Sequence, residues 1–208
     1  MTKIKICGLS RERDIDYVNE CKPDYIGFVF APSKRQVSPE KARALAARLS
    51  NGILVVGVFV NAPKEEILKI ADRIPLDVVQ LHGDETEAEI KALQTMLSCE
   101  VWKAIRVTGA AQIKSKLQTL ADRVLVDTQK ENEYGGSGES FDWTEAEEFG
   151  TNIILAGGIN EKNITQAINL FHPYAVDVSS GVETGGVKDK EKIRKLIETV
   201  RDYDEQNR

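Results

Sequence analysis

The chain has 208 residues and a net charge of −5, with 41% hydrophobic and 29% charged residues. This length fits one domain with a large core, and the composition is that of a soluble globular protein without a secretory signal, so we expect a cytoplasmic location. The acidic balance, without a basic stripe, argues against a nucleic-acid partner, and the longest apolar run, Ile53 to Val60, is too short for a membrane span.

Eight short β-branched segments recur along the chain and alternate with segments of helical spacing. We predict strands at Lys3–Cys7, Tyr25–Phe30, Ile53–Val60, Asp77–His82, Glu100–Val107, Arg123–Asp127, Asn152–Ala156 and Ala175–Ser179. Cap and proline signals predict helix starts at Ser38–Glu40, Ala62–Glu65, Asn160–Asn163 and Asp189, with the last helix running to about Val200. Weaker helical patterns lie at Gln112–Leu120 and after Trp143.

This strand–helix repeat decides the fold class. Eight βα units in one domain of 208 residues predict a compact (β/α)₈ barrel that spans residues 1–208. The alternative is a doubly wound open sheet, which generally needs only about five or six strands. The strand count therefore favours the barrel.

Polar residues stand at the ends of several predicted strands. They are Cys7, Gln80, His82, Asp127, Asp177 and Ser179. A single terminal aspartate is usually a helix cap or the partner of a lysine. Their recurrence on several strands instead favours an active site, because barrels of this class place it at the carboxyl ends of the strands.

The first strand has a period-two pattern, in which isoleucines alternate with Lys3, Lys5 and Cys7. We predict that the Lys/Cys face points into the barrel mouth. A lone cysteine in a strand is most often a small buried hydrophobe. A neighbouring ammonium favours the thiolate, however, which can act as a nucleophile or a proton acceptor. We hypothesise that Lys5 lies inside the barrel with Asp177 or Gln80 and biases Cys7 toward the thiolate.

The remaining cysteines and one histidine carry no functional signal. The cysteines are odd in number and widely spaced, which indicates reduced thiols and neither disulfides nor a zinc site. Cys21 and Cys99 have no counterpart of Lys5, the lysine that shares a strand face with Cys7. His172, beside Pro173 at a helix end, is interpreted as structural.

Two glycine-containing loops follow the last two strands. Gly157 and Gly158 follow the seventh strand, and Ser179, Ser180 and Gly181 follow the eighth. Glycines let backbone N–H groups approach an anion closely, and these loops commonly bind phosphate in such barrels. One glycine pair alone would indicate only a turn. Two clusters in consecutive units predict a phosphate site.

Three other loop features could contribute to the mouth. Ser33–Arg35 places cations after the second strand, where they either form an ordinary charged surface or hold an anionic group. His82 either binds ligand or satisfies a loop carbonyl. The loop Tyr134–Gly138 lacks dinucleotide-binding spacing, and we interpret it as a mobile flap over Asp127.

Several motifs along the chain together resemble the phosphoribosylanthranilate isomerase family of tryptophan biosynthesis. The motifs are Lys5-Ile6-Cys7-Gly8, Gly27-Phe28-Val29-Phe30, Ser33-Lys34-Arg35, Val56-Gly57-Val58-Phe59-Val60-Asn61, Val79-Gln80-Leu81-His82-Gly83, Asp127, Gly135-Gly136-Ser137-Gly138, Phe141-Asp142-Trp143, Ala156-Gly157-Gly158 and Asp177-Val178-Ser179-Ser180-Gly181-Val182-Glu183. The resemblance covers most of the chain and implies the same barrel fold.

The resemblance implies an Amadori rearrangement of N-(5'-phosphoribosyl)anthranilate, with Cys7 as general base and Asp127 as general acid. It further implies that Arg35 contacts the anthranilate end of the substrate and that the loops after strands seven and eight hold its phosphate. His82 and Asp177 are expected to bind substrate. The imine formed from the substrate acts as the electron sink, so we expect no cofactor and no metal. The expected partner is a small phosphorylated substrate, and the protein is expected to be a monomer or homodimer.

Two alternative functions are consistent with the same sequence features. The sister isomerase of histidine biosynthesis performs the same rearrangement on an aminoimidazole ribonucleotide, but that family has an aspartate where Cys7 stands and generally binds two phosphates. A non-catalytic phosphate-binding barrel would need the glycine loops but neither Cys7 nor Asp127. Arg106, at the end of the fifth strand, has no assigned role.

Overall fold

A computed structural model describes residues 1–107, 117–128 and 152–207. Within them, eight parallel strands close into a barrel in which each strand pairs with the next and the last pairs with the first. The strands are β1 (Lys3–Cys7), β2 (Tyr25–Val29), β3 (Leu54–Phe59), β4 (Val78–Leu81), β5 (Glu100–Val107), β6 (Arg123–Thr128), β7 (Ile153–Ala156) and β8 (Ala175–Val178). The predicted (β/α)₈ barrel is confirmed, and the open sheet is excluded because the sheet closes.

The described residues include six α-helices on the outside of this barrel. They are α1 (Glu12–Cys21), α2 (Pro39–Ala46), α3 (Lys64–Arg73), α4 (Glu87–Met96), α5 (Ile164–Phe171) and α6 (Lys190–Gln206). The predicted caps at Ser38 and Asp189 form, since each side chain accepts backbone N–H groups of the first helical turn.

Two helix boundaries differ from the prediction. Helix α5 begins after Asn163, because Asn160 forms a turn in which its backbone N–H donates to the Asn163 side chain at 2.8 Å. Helix α6 continues past Val200 to Gln206. Asp204 in this extension accepts the Thr2 backbone N–H at 2.6 Å, a contact between the chain ends that no local pattern predicts.

Three predicted features lie wholly or partly outside the described residues. Of the weak helix at Gln112–Leu120, residues 117–120 are described and are not helical. The helix after Trp143 and the flap at Tyr134–Gly138 lie entirely outside the described residues. The predicted helix is therefore wrong over residues 117–120, and the remaining predictions stay predictions.

The core has two layers, as the alternation along β1 requires. Ile4 and Ile6 belong to the larger apolar cluster that includes residues of the helices. Cys7 belongs to a second cluster built from alternate strand residues, with the fully buried Trp102 packed edge-on against Tyr25 at a centroid distance of 5.2 Å. Because neighbouring strand residues point to opposite faces, this second cluster fills the barrel interior.

A small hairpin follows β8 and returns the chain toward the barrel. A 3₁₀ turn at Ser180–Val182 leads into strands β9 (Glu183–Thr184) and β10 (Val187–Lys188), which pair antiparallel. Gly185 and Gly186 form its tip with φ angles of 60° and 80°, a left-handed conformation that favours glycine. The hairpin thereby brings Lys188 back to the end of β8.

Candidate active site

The closing seam of the barrel places an ion pair under the candidate base. The β1–β8 register aligns Lys5 with Asp177, and Lys5 Nζ lies 3.0 Å from Asp177 Oδ2. The Lys5 side chain is 0% exposed and that of Asp177 is 9% exposed. Burial opposes the charge on Lys5, but the nearby Asp177 and Cys7 outweigh it and raise its pKa. The hypothesis that Lys5 lies inside the barrel with Asp177 is confirmed.

Cys7 is 8% exposed at the end of β1, and its thiol fits into space left by a glycine. It is aligned with Gly27 of β2, and a Cβ on Gly27 would lie 2.7 Å from Cys7 Sγ. Burial raises the pKa of the Cys7 thiol, while Lys5 and Lys188 lower it, and the net shift is upward. Lys5 acts in the predicted direction, toward the thiolate, but the desolvation of the buried thiol outweighs it.

A second buried lysine near Cys7 was missed by the sequence analysis. Lys188 of β10 is 4% exposed; its Nζ donates to Ser179 O at 2.9 Å and lies 2.8 Å from Glu183 Oε1. Ser179 Oγ in turn donates to the Cys7 carbonyl at 3.0 Å. Burial lowers the pKa of Lys188. The hairpin tip at Gly185 and Gly186 was the one sequence signal that this lysine turns back toward the site.

Arg35 lies at the mouth and is held by an acidic partner. Its Nε and Nη2 donate to the two carboxylate oxygens of Glu183 at 2.7 and 2.8 Å. This forked bond raises the pKa of Arg35. Burial acts to raise the pKa of Glu183, but Arg35 and Lys188 outweigh it and lower that pKa. The backbone of Gly8, with φ 81°, passes so close to the Arg35 side chain that a Cβ there would clash with it.

The candidate acid stands on the opposite side of the barrel. Asp127 is near the end of β6, and its Oδ2 lies 3.1 Å from His82 Nε2. His82 Nδ1 lies 3.0 Å from Gln80 Nε2. Both ring nitrogens of His82 therefore contact side chains, and within the described residues neither bonds to a loop carbonyl, which was one of the two alternatives for this residue.

The two glycine loops meet beside the end of β1. Gly157 and Gly158 have φ angles of 87° and 65°. A Cβ on Gly181 would clash with the Ile159 carbonyl oxygen, so only glycine lets the loop after β8 pack against the loop after β7. Ser179 and Ser180 are half-buried in this same region. The predicted phosphate-site residues are thus brought together.

The residues interpreted as structural lie away from this mouth. Cys21 ends α1 and Cys99 directly precedes β5, so both are at the amino-terminal end of the barrel. His172 is exposed and caps α5 with φ 41°. Arg106 is exposed and aligned with Asp127 in the β5–β6 register.

Among residues 1–107, 117–128 and 152–207, no helix combines the length and apolar character that crossing a bilayer would require.

Comparisons with known proteins extend the resemblance to nearly the whole chain. A family model described as N-(5'-phosphoribosyl)anthranilate (PRA) isomerase matches residues 4–199. A relative from Thermoanaerobacter sp. (strain X514), named N-(5'-phosphoribosyl)anthranilate isomerase, is 50% identical over 203 residues, which are 97% of this chain and 98% of the relative.

Solved structures agree with that similarity. The phosphoribosyl anthranilate isomerase of Thermotoga maritima is 36% identical with a TM-score of 0.84, covering 97% of this chain and 100% of that one. Another phosphoribosyl anthranilate isomerase, in complex with reduced 1-(o-carboxyphenylamino)-1-deoxyribulose 5-phosphate, is 34% identical with a TM-score of 0.81, covering 97% and 100%.

Proposed function

The chain belongs to the N-(5'-phosphoribosyl)anthranilate isomerase family and is an isomerase of tryptophan biosynthesis; we propose that Cys7 and Asp127 carry out its Amadori rearrangement as general base and general acid. The substrate would be N-(5'-phosphoribosyl)anthranilate, and the product 1-(2-carboxyphenylamino)-1-deoxyribulose 5-phosphate.

The chemistry needs an acid and a base on two sides of one sugar. Asp127 delivers a proton to the furanose ring oxygen, the C1–O bond breaks, and the nitrogen lone pair forms a C=N bond. Cys7 then removes the proton from C2. The electron pair of the broken C2–H bond forms a C1=C2 double bond, and the C=N electrons return to nitrogen, which gives an enolamine. Tautomerisation of the enolamine yields the ketone. Both electron pairs stay within the substrate, so this scheme requires no redox partner.

The observation that carries this proposal is the placement of the two groups. Cys7 ends β1, and Asp127 lies near the end of β6, three strands away around the closed barrel. Both strands run in the same direction, so their carboxyl ends open onto one mouth. A sugar bound in that mouth is flanked by a thiol and a carboxyl.

Substrate binding is assigned to the residues around this pair. The two loops with Gly157, Gly158, Ser179, Ser180 and Gly181 would hold the phosphate through backbone N–H groups and hydroxyls. The Arg35 guanidinium suits the anthranilate carboxylate, because the bonds of Nε and Nη2 to Glu183 hold it in place while its other N–H donors can reach a ligand. Asp177 and His82 would complete the site near the base and the acid respectively.

The test is turnover of the purified protein with this substrate, followed by the fluorescence change on product formation. We expect Cys7→Ala and Asp127→Asn each to lower kcat by about 10²- to 10⁴-fold while substrate binding persists, since each removes one proton-transfer group. Cys99→Ala, at the other end of the barrel, is the matched control and should keep full activity. Near-normal turnover in either site variant would remove the role assigned to that residue.

The same assay separates the alternatives. Turnover of the aminoimidazole ribonucleotide in preference to the anthranilate compound would favour the histidine-pathway isomerase. Binding without turnover of either would contradict the proposed proton transfers.

A further inference from the structure

Gln80 is a buried polar residue next to the acid that the proton transfers above do not use. It is 1% exposed on β4, two residues before His82, so both side chains lie on the interior face of the barrel. Its Nε2 is 3.0 Å from His82 Nδ1. Among the described residues its Oε1 is buried without a hydrogen-bond partner. A buried amide oxygen without a hydrogen-bond partner costs folding free energy, so the orientation of the Gln80 side chain calls for an explanation.

The direction of this hydrogen bond determines which nitrogen of His82 carries the proton. An amide NH₂ only donates, so Nδ1 of His82 must accept. A neutral imidazole has one donor and one acceptor nitrogen, so Nε2 then carries the hydrogen. That hydrogen points at Asp127 Oδ2, 3.1 Å away. Gln80 thus makes His82 a donor to the acid.

The hydrogen bond that His82 donates in turn determines which carboxyl oxygen of Asp127 carries the proton. An oxygen that accepts the His82 hydrogen bond is disfavoured as the site of the acidic hydrogen, since the hydroxyl oxygen of a carboxylic acid is a weaker acceptor than its carbonyl oxygen. We propose that Gln80 and His82 are positioning residues that keep the transferable proton of Asp127 on Oδ1. This inference rests on the proposed role of Asp127 as general acid.

The arrangement also suits the carboxylate that remains after proton transfer. The hydrogen bond from His82 becomes charge-assisted once Asp127 is ionised, so it is stronger after the transfer than before. A reversed amide would have the opposite effect. Gln80 Oε1 would then accept from Nδ1–H, leaving Nε2 of His82 as an acceptor that competes with the sugar for the proton of Asp127.

The first test reads the tautomer directly and does not depend on activity. The chain contains two histidines, so ¹⁵N NMR of ring-labelled protein gives two sets of signals, with the exposed His172 as internal reference. We expect His82 to be neutral, with hydrogen on Nε2 and none on Nδ1. In Gln80→Glu, whose carboxylate only accepts, the hydrogen should move to Nδ1 or both nitrogens should be protonated. A wild-type His82 with hydrogen on Nδ1, or an even mixture of tautomers, would overturn the proposal.

The second test separates positioning from structure by kinetics. Gln80→Met should lower kcat by about tenfold or more with KM nearly unchanged, because Gln80 acts only on the proton-transfer step. His82→Leu should lower kcat at least as much, and its KM can rise as well because His82 is also assigned to substrate binding. His82→Gln, whose amide can place a donor near the position of Nε2, should recover much of that loss. His172→Leu is the control and should have wild-type kinetics. Equal kcat in His82→Leu and wild type, or no recovery in His82→Gln, would contradict the positioning role.

Failure of this inference can be distinguished from failure of the proposed function. Near-normal turnover in Asp127→Asn would remove the acid role, whatever tautomer the NMR spectrum shows. A large loss in Asp127→Asn with the wrong tautomer at His82 would keep the acid role and remove the positioning device.

Discussion

The two sides of the barrel mouth surround the proposed proton-transfer groups in different ways. On the base side, Cys7 is buried together with an ion pair, Lys5–Asp177, and a second lysine, Lys188. On the acid side, Asp127 is partly exposed and bonded to His82, an uncharged partner in the arrangement inferred above. The base side therefore relies on buried charges, and the acid side on the direction of hydrogen bonds.

This difference follows from what each group must do. A thiol in a dry site resists ionisation, so cations are needed to make its thiolate accessible. An acid must keep its proton until substrate binds, and a neighbouring cation would favour its loss. The cations near Cys7 thus favour the loss of its proton, whereas the uncharged hydrogen-bond partner of Asp127 lets that carboxyl keep its proton.

The largest expected effect comes from breaking the buried ion pair on the base side. Asp177→Asn removes the counterion of a lysine that is 0% exposed, and we expect the free energy of unfolding to fall by about 3–5 kcal/mol at neutral pH. The raised pKa of Lys5 means that the pair stabilises fully below about pH 10 and loses this contribution as pH rises further. Urea unfolding at several pH values measures both.

The control for that prediction replaces the whole pair. Lys5→Met combined with Asp177→Leu leaves no unpaired charge, and most of the lost stability should return. A loss of less than about 1 kcal/mol in the free energy of unfolding of Asp177→Asn would mean that the pair contributes no more than a surface ion pair. That result would contradict the contrast between the two sides of the mouth.

A smaller effect is expected from filling the space beside the thiol. In Gly27→Ala the new methyl would lie 2.7 Å from Cys7 Sγ, so the thiol must rotate away. We expect a loss of about 1–3 kcal/mol in stability, typical of overpacking, with a fall in kcat because the base is displaced. Unfolding and steady-state assays measure the two effects. The same substitution made in Cys7→Ala should cost much less, since no sulfur remains; an equal cost in both backgrounds would argue against this contact.

The smallest expected effect concerns the second lysine. Lys188 lowers the pKa of Cys7, so Lys188→Met should raise that pKa, because a nearby opposite charge is lost. Because the proposed base is the thiolate, the rise of kcat/KM with pH should move to higher pH by the same amount. Thiolate absorbance in a background without Cys21 and Cys99 measures the pKa directly.

Lys192→Met is the matched control for Lys188. Lys192 is exposed on α6 and donates to the Glu183 backbone carbonyl at 2.7 Å. Its loss should leave the Cys7 titration unchanged. A shift of equal size in both variants would mean that overall charge, and not the buried position of Lys188, sets the pKa of the thiol.

Local patterns predicted the parts of the site that belong to strands. The alternation along β1 was enough to place Lys5 and Cys7 on one face, and strand counting was enough to locate Asp127 and Asp177 at the same mouth. These inferences succeed because a closed parallel barrel fixes which strand residues share a face.

The parts that could not be predicted depend on distant contacts or on solvation. Lys188 is 181 positions from Cys7 in sequence, and only the fold of the hairpin brings the two together. The bond between Arg35 and Glu183 likewise joins loops 148 residues apart. The net upward shift of the pKa of Cys7 was not predicted, because a neighbouring cation can be inferred from sequence, whereas the desolvation of the thiol cannot.

The seam between β1 and β8 also has a consequence for synthesis on the ribosome. Lys5 and Cys7 of the first strand are translated long before Asp177, Ser179 and Lys188, which contact that strand in the folded protein. A nascent chain that has not yet released its eighth unit has neither a closed interior nor the counterion for Lys5. We therefore expect the proposed acid–base site to assemble late in synthesis, and chains truncated before β8 to be inactive however well their earlier units fold.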